Sequence, residues 1–521
     1  MVPDGRASAR CRRIWPRTDS VTVVTFESAA PGPKGSRSTW PVTKVSQTMS
    51  AQDIPLCIDL DGTLIRSDLL AESALGLLAR NPLYLFLFPV WLLRGRAHLK
   101  RRIAELTVLD AASLPYDERV LEWLRADASG RRRVLCTASD QKFAEAVAAH
   151  TGCFDTVLGS DGDRNLSGSR KAETLVRLYG DRGFDYAGNA WVDLKVWRHA
   201  RRSIVVNAPA LLVMQAKRGH EVERVFPSER QLLRSWIKEL RLYQWLKNAL
   251  VFLPLLASHR VFDGAAVGEA TLAFLCFGLC ASGTYLLNDL LDLNADRRHP
   301  RKRLRPFASG ALPLQAGLLV MPPLVLLSFA LASVISLRFA AVLLCYLVMT
   351  LAYSFRLKRV VMLDVVVLAA LYTVRIVAGT VAIHVEYSFW LLAFSMFIFF
   401  SLAMLKRYTE FLGLLDNGQQ MAGGRGYAVD DLPLIQSLGG ASGYISVLVL
   451  ALYINSTASE ALYHRPQVLW LLCPLLLYWI SRAWVVSHRR QMQDDPIVFA
   501  VTDRVSQVCL VLVVVAVLGA L

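Results

Sequence analysis

The sequence predicts a multi-domain protein in which an α/β domain precedes an all-α membrane bundle of nine transmembrane helices. Residues 51–225 alternate short buried strands with helical segments, the pattern of a Rossmann-like sheet. Residues 226–521 are instead dominated by apolar stretches of roughly 20 residues, the length that crosses a bilayer. The 521 residues are 54% hydrophobic and carry a net charge of +16. A chain of this length has room for both domains.

The first 50 residues stand apart in composition from the rest of the chain. They are rich in Arg, Ser, Pro and Gly and show neither a hydrophobic period nor a signal-peptide core. We therefore expect residues 1–50 to form a disordered extension. Met49 comes just before the first strand-like segment and is a candidate translation start.

Acidic and glycine residues follow the first predicted strand of the α/β domain. Residues 54–58 read as a buried strand and lead directly into Asp59, Asp61 and Gly62. Two carboxylates at the end of a strand, next to a glycine that permits a tight turn, are typical of phosphate chemistry. Later strands end at Thr137 and at Asn189, so polar groups again follow strand ends.

These landmarks resemble the haloacid dehalogenase (HAD) superfamily, in particular its phosphoserine-phosphatase-like members. The resemblance covers about residues 53–210 and implies that Asp59 is a nucleophile that forms an aspartyl-phosphate. It further implies that Asp61 is the general acid/base and that Thr137 and Lys171 bind the phosphoryl group. Asp59 and Asp193 are then expected to hold Mg²⁺.

One motif departs from the HAD pattern. The family's last motif usually begins Gly-Asp, whereas this chain has Gly188-Asn189. A neutral amide is a poorer ligand for Mg²⁺ than a carboxylate. Two interpretations follow, a weakened phosphatase or an inactive domain kept as a scaffold.

A short apolar segment interrupts the α/β domain at residues 83–93. It is too short to span a membrane and is followed by basic residues between Arg94 and Arg102. The segment is interpreted either as a helix on the bilayer surface or as a buried helical hairpin of a cap.

Loop charges predict the orientation of the bundle. If the segment before the first span is cytoplasmic, most loop cations lie on that side and only Arg260, Arg338 and Arg465 lie opposite. This predicts a multi-pass protein of the cell inner (plasma) membrane with its α/β domain in the cytoplasm. Because the membrane loops account for the positive charge, no nucleic-acid partner is expected. The predicted spans are 242–258, 266–287, 314–335, 337–355, 361–383, 387–405, 434–456, 467–486 and 504–521.

An acidic stripe closes the second predicted span. On a helix Asp289, Asp292 and Asp296 have the spacing i, i+3 and i+7, so their carboxylates share one face. Stacked carboxylates repel one another unless a cation lies between them, and hard oxygen ligands favour Mg²⁺. The basic cluster at 297–305 is suited to phosphate groups. The sequence therefore predicts a metal–phosphate site at the membrane boundary.

The spans and the stripe together resemble the UbiA superfamily of membrane prenyltransferases over about residues 235–521. The resemblance implies that Asn288, Asp292 and Asp296 bind Mg²⁺ bridged to a diphosphate, with Asp289 in the second position of the motif. Aromatic prenyltransferases of the superfamily carry a second Asp-rich motif after the sixth helix. The corresponding stretch here, residues 406–410, is basic.

Three further motifs, at 243–248, 299–306 and 353–358, resemble the decaprenyl-phosphate phosphoribosyltransferase branch of that superfamily. That branch joins 5-phosphoribosyl diphosphate to a polyprenyl phosphate, and both substrates are strongly anionic. The resemblance implies catalytic roles for Asp292 and Asp296. The residues expected to bind substrate in the membrane domain are Lys247, Asn248, Lys302, Arg305, Lys358, Lys406 and Arg407.

Two other functions stay open from the sequence. The first is an aromatic polyprenyltransferase of the 4-hydroxybenzoate type, as in quinone synthesis. The second is a lipid-binding membrane protein with an inactive HAD scaffold. The expected partners are a polyprenyl lipid, a diphosphate-bearing donor and the bilayer, with Mg²⁺ as cofactor. Two charged residues fall within the fifth span, where Asp364 is expected near its cytoplasmic end and Arg375 opposite a pocket or a carboxylate.

Overall fold

The computed structural model describes residues 54–229, 231–416, 427–492 and 496–521. The extension predicted at 1–50, including Met49, lies outside these ranges.

Six parallel strands form the sheet of the N-terminal domain, in the order β3-β2-β1-β4-β5-β6. The central strand β1 has Cys57 opposite Val134 on one side and Tyr186 on the other. Since parallel strands end at the same edge, the residues that follow β1, β2 and β4 come together there. The outer strands β3 and β6 were not predicted. The strands are β1 Leu56–Ile58, β2 Arg133–Asp140, β3 Thr156–Ser160, β4 Asp185–Gly188, β5 Ser203–Val206 and β6 Val222–Phe226.

Helices cover both faces of this sheet, and each face has its own buried core. Ile58 and Leu135 belong to one cluster, whereas Cys57 and Val134 belong to the other, because side chains alternate along a strand. The helices are α1 Leu69–Arg80, α2 Tyr84–Leu93, α3 Arg96–Leu106, α4 Glu118–Ala126, α5 Gln141–Thr151, α6 Ser169–Tyr179, α7 Leu194–Trp197 and α8 Ala210–Gly219.

The remaining elements are helical. Helix α9 begins at Leu232, six residues after β6 ends at Phe226, so the boundary predicted at 225/226 falls at the end of β6. The elements are α9 Leu232–Glu239, a 3₁₀ helix at Leu242–Phe252, α10 Leu253–Ala257, α11 Gly264–Leu291, α12 Leu293–Arg298, α13 Leu314–Ile335, α14 Leu337–Phe355, α15 Leu363–Ala382, α16 Phe389–Asp416, α17 Leu432–Ile454, α18 Thr457–Leu462, α19 Leu472–His488, α20 Pro496–Thr502 and α21 Arg504–Ala520.

Seven helices in the described part of the chain are long and apolar enough to cross a membrane. They correspond to seven of the nine predicted spans, and the first and last predicted spans are shorter. The first is a 3₁₀ helix followed by α10, whose second residue is Pro254. The last is α21, which has 17 residues. The chain is a multi-pass integral membrane protein.

The α/β domain rests on the membrane helices through α1. Leu75 of α1 belongs to the same buried cluster as Leu286 and Leu290 of α11. The added Cβ of an alanine at Gly76 would lie 3.9 Å from the side chain of Asn294. Helix α1 therefore lies against the end of α11 that carries the acidic stripe.

The stripe does not lie on one uninterrupted helix. Helix α11 ends at Leu291 and α12 begins at Leu293, with Asp292 between them at φ −90° and ψ 10°. The backbone N–H groups of Asp292 and Asp296 still donate to the carbonyls of Asn288 and Asp292, at 2.9 Å each. The stripe was predicted on one continuous helix, but it lies on two consecutive helices that meet at Asp292.

Candidate functional site

A chain of buried polar contacts lies at the carboxyl edge of the sheet. Asp59 follows β1, and its Oδ1 accepts a hydrogen bond from Lys171 Nζ at 2.8 Å. Lys171 also donates to the hydroxyl of Tyr186, which donates to Asp193 Oδ1 at 3.0 Å. Burial alone would lower the pKa of Lys171, but the carboxylates of Asp59 and Asp193 outweigh it and raise that pKa. The ammonium group therefore stays charged beside Asp59.

Asp61 is held by three donors on the same edge. Its Oδ1 accepts from the backbone N–H of Leu69 at 2.9 Å. Its Oδ2 accepts from Ser139 Oγ at 2.6 Å and from Thr137 Oγ1 at 3.4 Å. Burial, together with the nearby charge of Asp68, raises the pKa of Asp61 to about 7. Both protonation states are therefore accessible near neutral pH, as a general acid/base requires.

The unusual Asn189 lies against the loop that carries the paired acids. Its side-chain oxygen accepts from Thr63 Oγ1 at 3.3 Å, and its backbone N–H donates to Asp193 Oδ2 at 3.0 Å. Gly62 has φ +77°, and a Cβ there would lie 2.1 Å from the amide nitrogen of Asn189. Burial and the charge of Asp59 raise the pKa of Asp193 to about 6. The amide thus lies within the group of acids assigned to phosphate chemistry.

Two residues of this edge carried no signal in the sequence analysis. Ser139 holds Asp61, and Lys100 of α3 donates to the carbonyl of Ala138 at 2.5 Å and to Asn165 Oδ1 at 2.9 Å. Burial lowers the pKa of Lys100. The sequence shows Lys100 only as one of the basic residues that flank the apolar segment. Its contact with Ala138 joins residues far apart in the chain, and such contacts give no local sequence pattern.

The acids of the stripe contact cations. Arg305 Nη1 lies 2.8 Å from Asp289 Oδ1 and 2.5 Å from Asp296 Oδ2, so one guanidinium bridges both carboxylates. Arg241 Nη2 donates to both oxygens of Asp289. Asp289 and Asp296 are both buried. Arg241 was not predicted as a site residue, although it comes two residues before the 243–248 motif.

Asp292 contacts a separate cation. Lys358 Nζ lies 2.9 and 2.8 Å from its two carboxylate oxygens, which joins the stripe to the loop after α14. Asn288 is half-buried one helical turn before Asp292, and Lys302 is exposed in the 3₁₀ turn Lys302–Leu304. The structure therefore brings together the predicted residues at 288–296 with Arg305 and Lys358.

Glu239 is a further acid of this site that the sequence analysis missed. It is only 1% exposed, and its Oε1 has no hydrogen-bond partner among the described residues. Burial raises the pKa of Glu239 to about 8, with a further contribution from the adjacent carboxylate of Asp289. The site thus contains a buried oxygen without a donor next to the stripe.

The 243–248 motif reaches into the bundle. Asn248 is buried, and its Oδ1 accepts from Arg375 Nε at 2.8 Å while its Nδ2 has no partner among the described residues. Arg375 Nη2 also donates to the hydroxyl of Tyr346 at 3.1 Å. Among the described residues, the side-chain partners of Arg375 are thus an amide and a phenol and not a carboxylate, and a position opposite a pocket stays a prediction. Lys247 lies with its ammonium 5.9 Å from the centre of the Tyr372 ring.

Arg407 lies apart in a buried ion pair. Its guanidinium donates to Asp364 at 2.6 Å, to Glu410 at 2.6 Å and to the hydroxyl of Tyr353 at 2.7 Å. Arg407 and Asp364 are 1% and 0% exposed. This pair joins α15 to α16, and Asp364 lies in the first turn of α15, as expected, but is fully buried there. Lys406 is half-buried beside it, and substrate binding by either residue stays a prediction.

The oxygens at both sites are of the kind that a divalent cation prefers. Among the residues that the structure describes, no three His, Cys, Asp or Glu side chains converge closely enough to hold a metal ion. Instead, cationic side chains contact Asp59 and each acid of the stripe. The carboxylates, and the Glu239 oxygen that has no hydrogen-bond partner among the described residues, are suitable ligands for Mg²⁺. The Lys and Arg side chains beside them are suited to bind phosphate.

Comparison with known proteins identifies the membrane half. The model of the UbiA prenyltransferase family matches residues 249–502. The uncharacterized protein y4nM of Sinorhizobium fredii is 39% identical over 87% of this chain and 88% of its own length. The chain belongs to the UbiA prenyltransferase family. It is a membrane transferase with an α/β domain at its N-terminal side, which we call the HAD-like domain for the resemblance of its motif at Asp59 and Asp61.

Other relatives match smaller parts of the protein. The nodulation protein NoeC of Azorhizobium caulinodans is 36% identical over 53% of this chain and 90% of its own length. The decaprenyl-phosphate phosphoribosyltransferase of Mycobacterium tuberculosis is 37% identical over 33% of this chain and 59% of its own length. A HAD family hydrolase structure from Salmonella enterica serovar Typhi covers 32% of this chain and 66% of that one, with 18% identity and a TM-score of 0.25.

Proposed function

We propose that this UbiA family member is an Mg²⁺-dependent transferase that moves 5-phosphoribose from phosphoribosyl diphosphate to polyprenyl phosphate. The observation that carries the proposal is the arrangement of the stripe, where Asp289, Asp292 and Asp296 lie in direct contact with Arg305 and Lys358. One small region thus offers oxygens for a metal and cations for phosphates. The similarity to the mycobacterial phosphoribosyltransferase supports this substrate class.

The proposed chemistry divides between the two kinds of side chain. Mg²⁺ bound by the stripe would neutralise the charge of the departing diphosphate. Arg305 and Lys358 bind and orient the phosphate groups of the donor once they exchange their carboxylate partners for phosphate oxygens. The phosphate oxygen of the lipid then attacks ribose C1, the bond from C1 to the diphosphate oxygen breaks, and the diphosphate leaves with its electron pair.

We further propose that all nine predicted spans cross the inner membrane and that the domain at 51–225 is cytoplasmic. The helical segments at 242–257 and 504–520 are shorter than the other spans but apolar. The basic loops at 297–305 and 356–359 support the orientation. Both sites then face the same compartment, where phosphoribosyl diphosphate is available.

The HAD-like domain is proposed to remove the 5-phosphate from the lipid-linked phosphoribose that the membrane domain makes. Asp59 attacks the phosphorus, the ester oxygen leaves with a proton from Asp61, and water then releases the phosphate from Asp59. Thr137 and Lys171 bind the phosphoryl oxygens, and Asp193 with Asp59 provides the carboxylates for Mg²⁺. The contact of Lys171 with Asp59 at 2.8 Å supports this assignment.

The decisive experiment supplies purified protein with Mg²⁺, labelled phosphoribosyl diphosphate and polyprenyl phosphate. We expect a labelled lipid with wild-type protein and none with Asp292→Asn, whereas Asp430→Asn, an exposed acid away from the stripe, keeps the activity. Consumption of a polyprenyl diphosphate with an aromatic acid, and no use of phosphoribosyl diphosphate, would instead assign the aromatic prenyltransferase reaction. Binding of Mg²⁺ and lipid without turnover of either donor would assign a lipid-binding protein.

A further inference from the structure

Helix α2 of the HAD-like domain is an apolar helix that contacts α1 and α3 but stays exposed along its whole length. All ten of its residues, Tyr84–Leu93, are apolar or aromatic, and none is buried. Phe86 is 73% exposed and Leu93 is 88% exposed. The interpretation of this segment as a buried hairpin is therefore wrong, because a cap hairpin would bury at least one face.

The most exposed side chains of α2 have about the same exposed fraction as apolar side chains on the outside of a membrane-spanning helix. Leu319 and Leu326 of the membrane-spanning helix α13 are 76% and 70% exposed. Elsewhere in the α/β domain exposed apolar residues occur singly, as Leu178 does, or in pairs, as Trp191 and Val192 do. A continuous helix that is apolar on every side marks a surface for a partner or a membrane.

The position of α2 places it near the bilayer. Helix α1 packs on the end of α11 through Leu75, and α2 begins four residues after α1 ends. Because only residues 81–83 link the two helices, the start of α2 stays within about 15 Å of the end of α1. The lipid surface around α11 and α13 is therefore the apolar partner within reach.

Basic residues flank α2 at both ends. Arg80, Arg94 and Arg96 are exposed, and none of them forms an ion pair with another described residue. Cations beside an apolar helix are the composition of an interfacial segment on anionic lipid headgroups. A protein partner would have to match both the apolar surface and these charges, whereas an anionic bilayer matches both.

Helix α2 also connects directly to the phosphatase site. Gly95, at φ +107°, joins α2 to α3, and α3 brings Lys100 to within 2.5 Å of the carbonyl of Ala138. Ala138 lies between Thr137 and Ser139, both of which contact Asp61. The α2–α3 segment thus runs from an apolar surface to the catalytic edge of the sheet.

We propose that α2 lies in the headgroup region of the anionic bilayer and presents phosphorylated lipid to the HAD-like site. The substrate class is a phosphate monoester carried on a membrane lipid, and this part rests on the proposed phosphatase function. The insertion of α2 does not depend on that function. The two parts are therefore tested by separate measurements.

Insertion is measured on full-length protein reconstituted in phosphatidylglycerol-containing nanodiscs. An environment-sensitive fluorophore is attached at Leu85→Cys in a Cys11→Ser, Cys345→Ser background, since the other seven cysteines are buried. The matched control is Leu178→Cys on α6, because Leu178 is 51% exposed and Leu85 is 57% exposed. We expect nitroxide-labelled lipids to quench the label at 85 by about half and the control by less than about a tenth.

Equal quenching at positions 85 and 178 would overturn the proposal. A second result would also overturn it: a label at 85 that nitroxide lipid does not quench and that is shielded from water only in discs with two protein copies. Helix α2 would then be an interface between two copies of the protein. Replacement of phosphatidylglycerol by a neutral lipid is expected to reduce the quenching at 85. Unchanged quenching in neutral lipid would show that Arg80, Arg94 and Arg96 do not bind anionic headgroups.

Lipid presentation is measured with the double variant Leu85→Glu, Phe86→Glu and with Leu178→Glu as control. We expect kcat/KM for a lipid-linked sugar phosphate in the discs to fall about tenfold in the double variant, because about 1.4 kcal/mol of positioning is lost. Hydrolysis of soluble p-nitrophenyl phosphate should stay unchanged. An equal loss with both substrates would overturn the role of α2 in presentation. If wild-type protein hydrolyses neither, the phosphatase function fails, and the quenching still decides whether α2 inserts.

Discussion

Arg297 and Glu72 form a buried, two-pronged ion pair that joins the membrane domain to the HAD-like domain. The guanidinium Nη1 and Nη2 lie 2.8 and 2.6 Å from the two carboxylate oxygens, and both side chains are less than 5% exposed. Arg297 Nε also donates to the carbonyl of Ala308 at 3.0 Å. Because Arg297 is the neighbour of Asp296 in the chain, the contact between domains lies one residue from the acidic stripe.

Removal of one partner of this pair should strongly destabilise the protein. We expect Glu72→Leu or Arg297→Met to cost about 3–5 kcal/mol, because each leaves a charge buried without compensation. The double variant should be more stable than either single one, since it leaves no buried charge. The measurement is thermal unfolding in detergent, followed by tryptophan fluorescence.

The neighbouring Arg298 provides the control for this prediction. It pairs with Asp110 at the surface, with side chains 68% and 36% exposed. We expect Arg298→Met to change stability by less than about 1 kcal/mol, as for other exposed pairs. Equal effects of Arg297→Met and Arg298→Met would contradict a structural role of the buried pair.

Replacement of Glu239 tests whether this buried acid belongs to the metal site. Glu239→Gln keeps the shape of the side chain but removes the carboxyl group that would ionise beside Asp289 when Mg²⁺ binds. We expect the Mg²⁺ concentration for half-maximal transferase activity to rise about tenfold, about 1.4 kcal/mol of binding free energy, with little change in kcat. Glu460→Gln, on the exposed helix α18, is the control. An unaltered Mg²⁺ dependence would show that Glu239 acts only on the packing around Arg241.

Restoration of the missing acid in the HAD motif is expected to increase phosphatase activity. Asn189→Asp places a carboxylate beside Gly62 and Asp193, and a carboxylate binds Mg²⁺ more tightly than an amide does. We expect phosphate release at limiting Mg²⁺ to increase about tenfold, with a smaller gain at saturating Mg²⁺. Asn165→Asp, near Lys100 but outside the motif, is the comparison. If Asn189→Asp loses activity while Asn165→Asp keeps it, Asn189 is required as an amide.

The stability of the HAD-like domain should depend on acid pH through Asp117. Burial alone would raise the pKa of this carboxyl, but hydrogen bonds from Arg119, Asn207 and Arg66 outweigh it and hold the pKa well below its ordinary value. A depressed pKa stabilises the fold above about pH 4, the ordinary pKa of Asp, and this stabilisation is lost as the pH falls further.

The difference in stability between wild type and Asp117→Asn measures this contribution. We expect it to be constant above about pH 4 and to shrink below that value, in unfolding experiments across the range. Asp163→Asn, at an exposed turn, should show no such dependence. A difference that stays constant down to pH 2 would mean that the contribution of Asp117 does not come from its charge.

Local patterns in the sequence were sufficient for the architecture. The pair Asp59 and Asp61 directly after a buried strand predicted the edge of a parallel sheet, since the position of a strand end is a local property. The strands β3 and β6 lack comparable motifs and were missed. Seven spans were predicted correctly because span length and hydropathy are counted along the chain. The first and last predicted spans are not among these seven, because the first is a 3₁₀ helix followed by a five-residue helix and the last has 17 residues.

The spacing of the stripe predicted that its three carboxylates share one face of a single helix. In the structure Asp292 lies instead at the junction of two helices and contacts Lys358. Arg305 bridges the other two carboxylates, those of Asp289 and Asp296. Such partners come from distant segments, so spacing along one helix cannot supply them. Arg407 illustrates the same limit, because its cationic character suited phosphate binding but its contacts with Asp364 lie in the buried bundle.

The sequence by itself determined that an α/β region precedes a membrane region of the UbiA family, because strand pattern, hydropathy and motif spacing are local properties of the chain. The roles predicted for the site residues stay predictions. Only the tertiary structure decided which charges meet. It brought Glu72 to Arg297, Glu239 to Asp289 and Lys100 to the carboxyl edge of the sheet, and it left α2 exposed. The physical reason is that ion pairs and burial depend on distances between segments far apart in the chain, which are fixed when the helices and the sheet pack together.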